Sequence, residues 1–221
     1  MAMSVIGAGL DEDRTRFFRL NLVIIDELTQ ILRDLLQKEI QPTDIFNTVK
    51  QKYLKIFRSD EIALISTAKT KSYNDFDITL LYKLLRNVCP NIPSPTQQWG
   101  DPEMPLQNEI TVGDDIERIR LIRNKVLGHI SEAAITETEF QEYWSTISDI
   151  CTRMQTLLNK DYVRRLKKAE ECTIDSETEN KYMDKIKQLA KEEEEMREIL
   201  LKILKEKGIQ LINSNLFSKL K

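Results

Sequence analysis

A single histidine, His129, closes the run Arg123-Asn124-Lys125-Val126-Leu127-Gly128-His129. An imidazole titrates near neutrality and can take or give a proton, while a guanidinium stays charged and can hold phosphoryl oxygens. Together they are the smallest set of groups able to cleave a phosphodiester without a metal. Asn124 stands beside the arginine, where its amide can orient either the guanidinium or a phosphate. On a helical wheel Arg123 falls inside the apolar stripe of Ile116, Ile119, Ile122 and Val126, so it must be paired or line a cleft.

A regular helix aims residues six apart roughly 120° from one another. Gly128 is therefore expected to act as a left-handed C-cap that swings His129 back over the helix end. The same residues also fit a plainer arrangement, in which His129 caps the last carbonyls and Arg123 pairs with a carboxylate from a neighbouring helix.

The elements that must carry these groups read as helices. Phe17, Leu20, Ile24, Leu28, Ile31, Leu32 and Leu35 recur at helical spacing between Arg14 and Lys38. Asn21 projects from the middle of that apolar face and needs a partner. A second amphipathic helix is predicted over 44–57 and a short one from Ser59 or Asp60 to Ser66. Asp77 is placed to N-cap the helix carrying Ile78, Leu80, Leu81, Leu84, Leu85 and Val88, which Pro90 ends. Five of the six prolines lie between Pro90 and Pro105 around Trp99, so this stretch reads as a long loop plugged onto the bundle by the indole. The helix ending at Leu127 is expected to open at Gly113-Asp114-Asp115. Thr136 or Thr138 starts the next, with Phe140, Trp144, Ile147, Ile150, Cys151, Met154 and Leu157 at core spacing.

Composition supports an all-α antiparallel bundle of four or more core helices: 31% charged residues with only six Gly and six Pro. The expected division is a flexible leader over 1–13, a bundle over 14–160 and a charged, coiled-coil-like helical extension over 161–221. In that extension Tyr182, Ile186, Leu189, Met196, Leu200 and Ile203 keep steps of three and four. It either folds back on the bundle or meets a partner protein.

A net charge of −3 gives no global attraction for nucleic acid. Any RNA contact must be local, and Arg118, Arg120 and Lys125 make the site helix basic enough to supply one. The three cysteines are far apart and lack zinc spacing, which points to a reducing compartment, no structural metal and no cofactor. No apolar run reaches spanning length without a charge, so the expectation is a cytoplasmic protein with no membrane contact.

Four segments resemble the HEPN family (higher eukaryotes and prokaryotes nucleotide-binding): Leu20-Asn21-Leu22, Phe76-Asp77-Ile78-Thr79-Leu80-Leu81, Leu84-Leu85-Arg86-Asn87 and Arg123-Asn124 to His129. They are similar to the subgroup found in a DAZ-interacting, RNA-binding RING ubiquitin ligase and in invertebrate immune-type proteins. The resemblance runs from about Arg14 to Leu158. It implies a bundle that often forms a homodimer across a two-fold axis, with a metal-independent endoribonuclease activity that some members have lost. His129 would move the proton, Arg123 would stabilise the phosphoryl charge and Asn124 would hold either. A lone histidine cannot be acid and base at once, so two protomers would each lend one. The zinc ligands of a RING are missing, so no ligase activity is implied. The alternative is a non-catalytic helical interaction or oligomerisation module of an immune or signalling protein.

Overall fold

The computed structural model describes residues 3–172, 182–188, 190, 191 and 198, with side chains from Glu12 onward. Among them nine α-helices and no strand are present. The chain starts on one long rod. α1 (Met3–Leu22) passes into a π-helical segment (Val23–Leu28) and then into α2 (Thr29–Glu39). The expected leader is helical from Met3 onward, since no proline interrupts the helix before Arg14. The wide π turn was not predicted. Side chains bond to carbonyls before and within it: buried Asn21 donates to the Phe17 carbonyl at 2.9 Å, and the Thr29 hydroxyl to the Ile24 carbonyl at 2.9 Å. Asn21 thereby finds its partner within its own helix.

α2 stops at Ile40, whose extended backbone prepares Pro42, and the Tyr73 hydroxyl donates to the Ile40 carbonyl at 2.8 Å. Short pieces follow: α3 (Ile45–Lys52), a single 3-10 turn (Leu54–Ile56), α4 (Ser59–Ser66) and α5 (Ala68–Lys71). The helix expected to run to residue 57 thus breaks at Tyr53. α6 (Ile78–Val88) opens on Asp77, whose carboxylate accepts from the Leu80 N–H at 2.8 Å. Its Leu81, Leu84 and Leu85 pack against Ile31, Leu32, Leu35 and Leu36 of α2.

α7 (Val112–Leu127), α8 (Glu137–Leu158) and α9 (Tyr162–Glu171) complete the bundle around the rod. Asn159 ends α8 in the left-handed conformation, φ 52° and ψ 48°. Tyr162, Leu166 and Ala169 are buried in the same core as α1 and α8, so packing continues across the boundary expected at residue 160. Buried Ile186 joins that core, and the Tyr182 hydroxyl donates to Asp26 in the π segment. This part of the extension folds back onto the bundle. The expected coiled-coil positions Leu189, Met196, Leu200 and Ile203 lie outside the described residues. No described helix is long and apolar enough to cross a membrane.

Candidate functional site

α7 begins one residue before the expected glycine, because Thr111 is the better cap. Its hydroxyl oxygen accepts from the Asp114 N–H at 3.1 Å, while the Thr111 N–H donates to the Asp114 carboxylate at 2.8 Å. Gly113 is required where it stands: its N–H donates to the Pro93 carbonyl at 3.0 Å, and a Cβ there would lie 2.3 Å from the Pro95 nitrogen.

The polar residues of α7 hold the proline-rich loop. Asp114 also accepts from the Thr96 N–H and hydroxyl, at 2.7 and 2.8 Å. Burial works against its charge, yet the bonds from Thr96 and Thr111 win and keep its carboxyl below the usual range. Glu117 accepts from the Gly100 N–H at 2.7 Å and from the Tyr82 hydroxyl at 2.6 Å. Tyr82 in turn meets Trp99 edge-on with ring centres 6.0 Å apart, which docks the indole on the bundle.

Two cations expected to face RNA are committed to the same task. Arg118 is buried, 4% exposed, and donates to the Leu106 and Glu109 carbonyls at 2.6 Å each and to Asp115 at 2.9 Å. Arg120 donates to Glu117 at 2.7 Å and to the Asp101 carbonyl at 2.5 Å, with its guanidinium 5.7 Å from the Tyr82 ring centre. Arg118 and Arg120, expected to meet RNA, are thus bonded to loop carbonyls and to α7's own Asp115 and Glu117. Lys125 alone of the three is exposed.

At the end of α7, Arg123 is 8% exposed and donates to the Asn124 side-chain oxygen at 2.8 Å. Gly128 is not left-handed, which overturns the expected cap; its φ of −61° and ψ of −22° continue the right-handed winding. The helix tightens instead of breaking. The His129 N–H donates to the Val126 carbonyl at 3.1 Å and that of Ile130 to Leu127 at 3.2 Å, the bonding of a 3-10 turn. At about 120° per residue over the last three steps, His129 comes to roughly 60° from the direction of Arg123, half the separation of a regular helix. The left-handed residue is Ala133, φ 49°, whose N–H closes on the His129 carbonyl at 2.8 Å.

The imidazole, 28% exposed, places its Nε2 3.7 Å from the Glu139 carboxylate at the start of α8. Glu139 is fixed there because its other oxygen accepts from the Thr136 hydroxyl and N–H, at 2.7 and 3.1 Å. Those two bonds hold its carboxyl below the usual glutamate range, with His129 a smaller contributor. A partly exposed imidazole facing a pinned carboxylate has the groups that proton transfer needs, six residues along the chain from the arginine–asparagine pair. Among the described residues no cluster of metal-ligating side chains is present.

The family model described as DZIP3/hRUL138-like HEPN matches residues 29–182, more than half of the chain. The chain belongs to that HEPN family. Comparison with curated proteins and with solved structures finds no match. Membership agrees with the helical bundle, and the module is one of a family named for nucleotide binding.

In this HEPN bundle the residue that sequence reasoning missed is Glu139. Its signal was present: Thr136-Glu137-Thr138-Glu139 is a capping box, and a carboxylate three residues into a helix that follows the histidine is aimed back at it.

Proposed function

We propose that this HEPN bundle binds single-stranded RNA and cleaves it without a metal, as a homodimer that brings two His129 imidazoles to one phosphate. The observation that carries the reading is His129, partly exposed and 3.7 Å from the fixed Glu139 carboxylate, at the helix end that also holds Arg123 and Asn124. One imidazole takes the proton of a ribose 2′-hydroxyl, and the oxygen attacks the adjacent phosphorus. The 5′-oxygen leaves with a proton from the partner's imidazole. Glu139 faces the ring with a carboxylate oxygen 3.7 Å from Nε2. Arg123 lends charge to the phosphoryl oxygens, with Asn124 setting its plane. The products are a 2′,3′-cyclic phosphate and a 5′-hydroxyl, and DNA, which lacks the nucleophile, is inert.

The test is incubation of labelled single-stranded RNA and matching DNA in EDTA with wild type, Arg123→Ala and His129→Ala. Cleavage of RNA alone, by wild type alone, with cyclic-phosphate ends, is the expected result. Intact RNA at every protein concentration contradicts it.

One observation favours the second reading, a non-catalytic interaction module: Arg123 is only 8% exposed, while Leu106 and Ile110 of the loop are about 60% exposed. Under that reading the loop face carries the partner contact, and RNA stays intact.

A further inference from the structure

With Arg118 and Arg120 already bonded within the fold, Lys125 is the one exposed cation of the three on α7, too few to track a phosphate backbone. Residues 45–58 carry Lys50, Lys52, Lys55 and Arg58 and no acidic residue. Lys50, Lys52 and Lys55 are exposed and make no ion pair among the described residues. The turn that joins them is held in shape. Half-buried Tyr53 precedes Leu54–Ile56 and buried Phe57 follows, with the Lys83 ammonium 5.1 Å from the Phe57 ring centre. Of the neighbouring carboxylates, Asp60 is paired with Arg58 at 2.9 Å and Glu61 with Lys83 at 2.7 Å, while exposed Asp44 precedes α3.

α9, the other basic element, differs. Arg164 pairs with Asp161 at 2.7 Å, Arg165 with Glu27 at 2.8 Å and Lys167 with Glu171 at 4.0 Å. Three of its cations are thus paired, whereas Lys50, Lys52 and Lys55 make no ion pair among the described residues. Leu54 and Ile56, 47% and 40% exposed, add apolar surface beside the lysines where an unstacked base can leave water.

We infer that the corner formed by Lys50, Lys52 and Lys55 is a phosphate-backbone contact for single-stranded RNA, distinct from the Arg123–His129 segment. This rests on the RNA-binding reading above. Its lysines act as point charges that displace counterions, so they contribute affinity without sequence preference.

The full chain is titrated against a labelled single-stranded RNA of about 20 nucleotides, longer than a typical single-strand site, across a salt series. Wild type is compared with Lys50→Gln/Lys52→Gln/Lys55→Gln and with Arg164→Gln/Lys167→Gln/Lys168→Gln, which removes the same charge from α9. All six positions are on the surface, and thermal melts check that each variant folds. The corner variant is expected to bind about tenfold or more weakly near 0.1 M salt, with the slope of log affinity against log salt shallower by about 2, at roughly 0.7 per lost contact. The α9 variant should stay close to wild type. A wild-type slope in the corner variant, or an equal loss in the α9 variant, overturns the inference. If wild type retains no RNA, the RNA-binding reading falls with it. If the slope changes as expected and RNA stays uncut, the corner stands and only the catalytic reading fails.

Discussion

His129 stands out in the sequence as the one imidazole of the chain, whereas the carboxylate it faces depended on where the 128–136 connector returns. Glu139 pinned by Thr136 gives a prediction with a definite sign. Its carboxyl sits below its unfolded value, so its contribution to stability is complete above about pH 4.5 and is lost as pH falls through the folded value. Glu139→Gln should cost about 0.5–1 kcal/mol at pH 7, a figure kept small because the side chain is partly solvated. Thermal melts of both proteins from pH 7 to pH 3 check this: the gap in Tm should close on acidification, and a gap constant with pH contradicts it. The cysteines give a second test. Burial pushes the Cys89 and Cys151 thiols up to about 12, whereas Cys172 is exposed. A thiol reagent near pH 8 should label Cys172 alone in the native protein and all three after unfolding; native labelling of Cys151 would mean that its site opens.

Helix caps decide how α7 and α8 work as elements. Thr111 and Thr136 both start capping boxes, and each box holds a carboxylate that does more than cap: Asp114 ties down Thr96 in the loop, and Glu139 faces the histidine. The loop was recognisable from its prolines. What anchors it was not, because Asp114, Glu117, Arg118 and Arg120 read as an ordinary charged helix face until the positions of the Thr96, Gly100, Asp101 and Leu106 backbone are known. Asp114→Asn keeps the shape but removes the charge from a fully buried acceptor, so it should destabilise by about 2–4 kcal/mol. Urea unfolding checks the magnitude, and protease cuts between residues 93 and 111 should appear at lower protease concentration than in wild type. Unchanged loop cleavage would separate Asp114 from loop anchoring. Gly128 marks where sequence reasoning erred: a glycine after a helix suggests a left-handed stop, yet here continued 3-10 bonding tightens the turn and Ala133 takes the left-handed conformation.

At the scale of the molecule the apolar spacing carried most of the fold. Phe17 through Leu35, Ile78 through Val88 and Phe140 through Met154 all became buried helix faces, because a 3.6-residue period leaves little choice of which side turns inward. The π segment could not be read that way. One extra residue in a turn shifts the wheel without altering composition, and its Asp26 and Glu27 gain meaning only when Tyr182 and Arg165 return to meet them. Charge could not be read from the sequence for a related reason: Arg118 and Arg120 are basic in sequence and internally bonded in space. We propose a HEPN bundle whose one histidine cuts RNA while Lys50, Lys52 and Lys55 hold the strand. Its most direct test is the initial rate of RNA cleavage in EDTA by purified wild type and His129→Ala, with the new ends identified. The account predicts 2′,3′-cyclic phosphate ends and a rate lower by about 10²–10⁴-fold in the variant; equal rates, or cleavage that EDTA abolishes, would contradict it.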